Sequence, residues 1–282
     1  MAEILKGASV AAAITENLVR RVDALKSKGV EPCLAILRVG ARADDLAYER
    51  GARKRCEKLG IHIVSFELDT DCTQDELLDE IAHINADNAI HGCLMFRPLP
   101  EHLNEQAACE ALLPRKDMDG MTDASLCTVF SGHGEGFAPC TAQSCVELLD
   151  HYGFDPEGKR VTVIGRSLVI GKPVAMLLEN RNATVTMCHT KTVNLPDICR
   201  SADILVVAAG KAGILDETFT NADQVVIDVG FHTAPDGSIC GDVQFAAVEP
   251  CVKAISPVPC GVGSVTTAVL CKHVIEAAER SL

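Results

Sequence analysis

A chain of 282 residues with 48% apolar and 23% charged side chains is long enough to bury one large or two modest cores, and its composition is globular rather than disordered. The formal charge of −13 at pH 7 argues against non-specific binding to nucleic acid or to an acidic membrane surface; an anionic small ligand would need a locally basic pocket. No run of about 18 uninterrupted apolar residues occurs, so neither a transmembrane helix nor a membrane partner is expected.

Residues 1–7 carry Glu3 and Lys6 and lack the apolar stretch of a signal peptide. The fourteen cysteines are scattered singly, with no C-x-x-C pair. That pattern fits reduced, mostly buried thiols better than a disulfide framework or a metal site, so a cytoplasmic protein without metal is expected.

In chain order, Val10, Ile14, Leu18, Val22 and Leu25 recur at helical spacing and predict an amphipathic helix over 9–28, closed by Gly29. A buried strand is predicted at 33–39, a helix at 45–59 and a strand at 63–68. A helix follows at 74–85, with Leu77, Leu78, Ile81 and Ile84 facing inward, and then a strand at 90–96. This alternation implies βαβ units and a largely parallel sheet.

After a loop-like stretch, the Gly-rich segment 132–139 reads as the approach to a second domain. Strands are predicted there at 160–165, 183–188, 203–209 and 224–229, with helices between. A last helix over 266–281 is expected to pack back on the first domain. The predicted division is therefore 1–138 together with 266–282, and 139–265.

The most informative stretch is 160–173. A β-branched run ends at Gly165, and the turn Gly165-x-Ser167-x-x-x-Gly171-x-Pro173 leads into a helical pattern. Backbone N–H groups at such a helix start can hold a pyrophosphate, although the spacing is not the usual G-x-G-x-x-G. An ordinary strand-to-helix turn would read the same way. An NAD site carries an acidic residue after the second strand to take the ribose 2′-hydroxyl. Here that strand ends Cys188-His189-Thr190-Lys191, without a carboxylate. Arg166 and Thr190 instead suit a 2′-phosphate, which makes NADP the expected cofactor.

Further motifs stand in order along the chain: Val39-Gly40 followed by Tyr48, Pro98-Leu99-Pro100, Lys116-Asp117-Met118-Asp119-Gly120 and Pro139-Cys140-Thr141. Beyond the phosphate turn come Val185 to Thr190, Gly241-Asp242-Val243, and Pro257-Val258-Pro259 with Gly261-Val262-Gly263. In this order and spacing the chain resembles the bifunctional methylenetetrahydrofolate dehydrogenase/methenyltetrahydrofolate cyclohydrolase family over essentially its whole length.

The resemblance implies an α/β fold of two domains with a cleft between them, the second a Rossmann-like dinucleotide-binding domain. It implies tetrahydrofolate derivatives as substrates and a homodimer. Tyr48 and Asp119 correspond to the catalytic, substrate-contacting residues, with Pro259 and Gly261 also on the substrate. Gly165, Arg166, Ser167, Thr190 and Phe231 correspond to the cofactor contacts; the family usually has a small aliphatic residue at the position of Phe231.

The chain departs from the family on the folate side. The family pairs its tyrosine with a lysine four residues on, adjacent on one helix face; here that position is Ala52. It also usually has a glutamine where Phe96 stands. Cys260, Ser264, Val265 and Ala142 are further departures. Hydride transfer needs mainly positioning. Hydrolysis needs general acid–base work, typically worth ~10²–10⁴-fold. The dehydrogenase is therefore expected to survive, and the cyclohydrolase to be weak unless Arg55 or Arg97 substitutes for the lysine. The alternatives are a catalytically silent paralogue that binds folate or nucleotide, and a dehydrogenase for another substrate.

Overall fold

A computed structural model of the chain describes residues 1–234 and 237–282. It opens with β1 (Glu3–Ile4), α1 (Gly7–Ser27), β2 (Cys33–Val39), α2 (Ala43–Leu59), β3 (His62–Leu68), α3 (Gln74–Ala86) and β4 (Gly92–Met95). Then come α4 (Glu105–Ala111), α5 (Asp123–Ser131), α6 (Cys140–His151), β5 (Arg160–Ile164), α7 (Gly171–Glu179) and β6 (Thr184–Cys188). The chain continues through α8 (Leu195–Ser201), β7 (Ile204–Val207), β8 (Val225–Asp228), the hairpin strands β9 (His232–Thr233) and β10 (Ile239–Cys240), α9 (Phe245–Val248), β11 (Ala254–Ile255) and α10 (Thr266–Glu279).

Two compact units result, one of Ala13–Cys140 with Thr267–Leu282 and the other of Met1–Ala12 with Thr141–Thr266. In the first unit, β2 lies between β3 and β4 in a parallel three-stranded sheet. Every β2 residue except Arg38 is buried, as a parallel strand covered on both faces requires. The helices start and stop on local chemistry. Thr73 and Glu76 form a reciprocal capping box at the head of α3, and Gly60 closes α2 at φ +70°.

The second unit is built on a parallel six-stranded sheet in the order β1-β11-β8-β7-β5-β6. Strand β5 has β6 on one side and β7 on the other. The chain reverses its winding direction there, and in open α/β sheets ligands bind outside the carboxyl ends of the strands at that point.

Two expectations change. The stretch before Gly132 is not loop-like: it holds α5, capped by the Thr122 hydroxyl accepting the Ser125 amide and ended by Gly132 at φ +75°. Residues 1–12 do not belong with the unit that follows them. Glu3 and Ile4 pair in parallel with Ala254 and Ile255, so the start of the chain completes the edge of the nucleotide-type sheet.

Candidate functional site

At the carboxyl ends of the second unit's strands lies a cavity of about 580 Å³. Its walls come from the turns after β5, β6, β7 and β8, and Gly165, Arg166, Ser167, Thr190 and Phe231 all line it. The backbone explains the glycines. Gly165 sits at φ +125°, and a Cβ there would meet the Ala208 carbonyl oxygen at 2.1 Å. At Gly171 a Cβ would meet the Gly165 carbonyl oxygen at 2.4 Å. The phosphate-type turn is thus pressed against the end of β7, and only residues without side chains allow it. Ser167 Oγ accepts the Ile170 amide at 3.1 Å, closing the turn ahead of α7.

Arg166 is exposed at this cavity and makes no ion pair among the described residues. The turn after β6 carries His189 and Thr190, whose backbone is held by the Thr192 hydroxyl accepting the His189 amide at 2.9 Å. His189 Nδ1 accepts the Lys191 amide at 3.1 Å, so the ring presents Nε2–H as a donor. Phe231 is 67% exposed, so it is not core filling.

Two buried carboxylates brace the opposite walls. Asp228 Oδ1 accepts the amides of Gly230 at 2.9 Å and Asp242 at 3.0 Å, and its Oδ2 accepts that of Val243 at 3.0 Å. Asp242 accepts the amides of Gly210 and Lys211, both at 3.0 Å, and faces His232 Nε2 at 2.7 Å. Burial raises the Asp228 carboxyl to about 6, against the pull of its three amide donors. Neither carboxylate nor His232 stands out in the sequence, because their partners lie on separate strands. Gly241-Asp242-Val243 is the one local trace.

In the first unit, Glu49, Ala52, Cys56 and Leu59 form the buried face of α2. Ala52 is fully buried, and Cys56 Sγ lies 3.7 Å from Cys271 Sγ of α10. Tyr48, one turn before Ala52, is half-buried with its ring edge-on to Phe96, the centroids 6.2 Å apart. Phe96 is itself buried, at 9% exposure. Ala52 and Phe96 thus stand where the resemblance implies a lysine and a glutamine, and Phe96 meets the Tyr48 ring instead.

Arg55 is tied to the hydroxyls of Thr15 and Thr267, both at 2.9 Å, and Arg97 lies 3.7 Å from the Glu105 carboxylate. Arg55 is thus engaged by two hydroxyls, and Arg97 faces a carboxylate.

The two aspartates after Lys116 divide their work. Asp117 is buried and accepts the amides of Met121 and Thr122 at 3.1 and 2.9 Å, which makes it the turn residue. Asp119 is half-buried, and its Oδ1 accepts the Cys140 amide at 2.9 Å. Burial raises its pKa, the Cys140 hydrogen bonds oppose this, and the Asp117 and Arg97 charges pull in opposite directions. Pro259 and Gly261 belong to the second unit, on the turn after β11. At Gly261 a Cβ would meet the Pro257 carbonyl oxygen at 2.3 Å, so the turn closes too tightly for a side chain. Among the described residues no cluster of three or more His, Cys, Asp or Glu is placed to hold a metal ion.

The family described as tetrahydrofolate dehydrogenase/cyclohydrolase, catalytic domain, matches residues 5–119, and its NAD(P)-binding domain matches residues 139–282. The bifunctional protein FolD of Carboxydothermus hydrogenoformans is 52% identical over 281 residues, covering 99% of this chain and 98% of that protein. The solved structure of the Campylobacter jejuni bifunctional enzyme FolD superposes with a TM-score of 0.96 at 37% identity, each chain covered in full. That of Trypanosoma brucei methylenetetrahydrofolate dehydrogenase-cyclohydrolase, complexed with NADP and an inhibitor, gives 0.92 at 35% identity, with 99% of this chain and 98% of that one covered.

Proposed function

This chain belongs to the tetrahydrofolate dehydrogenase/cyclohydrolase family, and we propose that it oxidises 5,10-methylenetetrahydrofolate to 5,10-methenyltetrahydrofolate with NADP while hydrolysing the methenyl product poorly or not at all. The observation that carries this reading is a contrast. The nucleotide cavity holds every residue type the cofactor needs, while the folate face has Ala52 buried one turn from Tyr48, whose ring meets Phe96.

The cavity fits NADP on its own chemistry. Gly165 and Gly171 leave the backbone bare beside the phosphate turn, Arg166 is free to pair with a phosphate, and no carboxylate follows β6 to repel one. The carboxylate that does line the cavity, Asp242, is occupied by two amides and an imidazole. In our reading Arg166 and Thr190 hold the 2′-phosphate, Gly165 and Ser167 the pyrophosphate, and Phe231 supplies an apolar wall. NADP, when bound, supplies the hydride acceptor.

On the folate side, Asp119 is read as the anchor for the N–H-rich edge of the pterin, since a carboxylate accepts paired donors. Tyr48 is read as the residue nearest the one-carbon unit, and Pro259 and Gly261 as further substrate contacts. Oxidation leaves a cation and asks these residues only to position it. Hydrolysis asks for a group that activates water and moves protons, and arginine stays protonated at physiological pH.

The experiment is a paired assay of the purified protein. NADP reduction should depend on methylenetetrahydrofolate, and added methenyltetrahydrofolate should disappear little faster than in buffer. Rapid hydrolysis would defeat the second half of the proposal; absence of both reactions would defeat the first and favour a binding-only paralogue. A homodimer in the cytoplasm completes the reading. The fourteen cysteines, which form no disulfide, support a reducing compartment, and light scattering tests the dimer.

A further inference from the structure

His232 is fixed more firmly than an exposed-edge residue needs to be. Its backbone pairs with Cys240 across the β9–β10 hairpin, and its ring is held by Asp242. Asp242 is fully buried and already accepts the Gly210 and Lys211 amides. An ionised carboxylate has no hydrogen to give, so the 2.7 Å contact requires a hydrogen on His232 Nε2. In the neutral ring that assignment leaves Nδ1 as a bare acceptor. Nδ1 has no protein partner among the described residues, and the half-buried ring lines the nucleotide cavity.

The sheet order says which part of a dinucleotide this acceptor would meet. A dinucleotide lying across the reversal at β5 places its two nucleoside halves on opposite sides of that strand. The β6 side carries Thr190 and has Arg166 next to it, the groups suited to a 2′-phosphate on the adenosine. The β7 and β8 side carries His232. The nicotinamide nucleoside offers O–H donors on its ribose and an N–H donor on its carboxamide, and a neutral imidazole nitrogen accepts either.

We propose that His232, oriented by Asp242, accepts a hydrogen bond at Nδ1 from the nicotinamide nucleoside half of NADP. Asp242 is then a positioning residue: it sets the tautomer and ring plane of His232 while tying the turns after β7 and β8 together. The proposal rests on the NADP reading above and adds a specific contact to it.

Titration calorimetry with two ligands tests it. Adenosine 2′,5′-bisphosphate carries the 2′-phosphate but no nicotinamide nucleoside, so it reports on the other half of the cavity and on its folded state. The His232→Phe variant keeps a ring and loses both nitrogens. It should bind NADP roughly 3- to 10-fold more weakly than the native protein, the range for one net hydrogen bond. Its affinity for the bisphosphate should be unchanged. Unchanged NADP affinity would overturn the proposal, and so would an equal loss for both ligands, which would mark His232 as structural. If the native protein binds neither ligand, the NADP reading fails before the His232 contact is reached. The 3-acetylpyridine analogue of NADP, which has no amide N–H, separates the two donors. A His232 effect that persists assigns the ribose hydroxyl, and one that vanishes assigns the carboxamide.

Discussion

The Arg166 guanidinium stands exposed at the nucleotide cavity without an ion-pair partner among the described residues, so no internal contact competes with a phosphate for it. Its replacement by alanine should cost about 1.5–3 kcal/mol of NADP binding, the range for a hydrogen bond to a charged group. NAD, which lacks the 2′-phosphate, should bind nearly as before. Calorimetric titration with both nucleotides decides this, and an equal loss for each would remove Arg166 from 2′-phosphate recognition. Asp119 poses the complementary question in the other unit. Asp117 already serves the turn through two amides, so Asp119 is the carboxylate left to act on a ligand. The Asp119→Ala variant should lose tetrahydrofolate binding and keep NADP binding. Unchanged folate affinity would show that the pterin is anchored elsewhere.

At the scale of the element, α2 shows why single substitutions should fail where paired ones succeed. Ala52 lies on the helix face that packs inward, between Glu49 and Cys56, and has no exposed surface. A lysine there must bury an ammonium, which lowers its pKa, and Phe96 offers no amide to receive it. The Ala52→Lys variant should therefore recover little cyclohydrolase and should be destabilised by about 1–3 kcal/mol through overpacking. Combined with Phe96→Gln, it should recover more activity than the two single variants together, as functionally coupled residues do. Additive or absent recovery would place the missing chemistry elsewhere. Helix α3 was readable in the sequence because Leu77, Ile81 and Ile84 recur on one face over several turns, and β2 because a continuous apolar run marks a strand covered on both faces. Strand β1 was not, since two residues carry no period and its partner, β11, lies some 250 positions away. Helix α5 was missed because its nine residues hold a short, mixed pattern, although Thr122 and Gly132 mark both ends. The site divides along the same line. The cavity glycines, Arg166 and Thr190 sit in runs local enough to read, whereas the Asp228–Asp242–His232 network joins the ends of separate strands and emerges only on folding.

For the whole molecule, charge and pH bring opposing contributions together. The net charge of −13 means that acid relieves self-repulsion before it damages specific contacts. Two of those contacts titrate with opposite sign. Glu279, hydrogen-bonded to Arg21, has its pKa lowered, so its contribution to stability is present above the unfolded value and is lost as the pH falls through the folded one. Asp228 is the reverse case. Burial lifts its carboxyl from 3.8 to about 6. Between those values the folded protein holds a proton that the unfolded chain has released. The Asp228 contribution is therefore complete below pH 3.8 and disappears as the pH rises through about 6. Lowering the pH from 7 to 5 should stabilise the second unit through this group by about 1 kcal/mol, since one unit of pKa is worth about 1.4 kcal/mol. Urea unfolding followed by circular dichroism at the two pH values measures the difference. In the Asp228→Asn variant the unit should be weaker at both values, because an amide cannot satisfy all three backbone donors, but this part of the pH dependence should vanish. A variant that kept the full native slope would show that Asp228 is ionised throughout, its three amide hydrogen bonds outweighing the cost of burial.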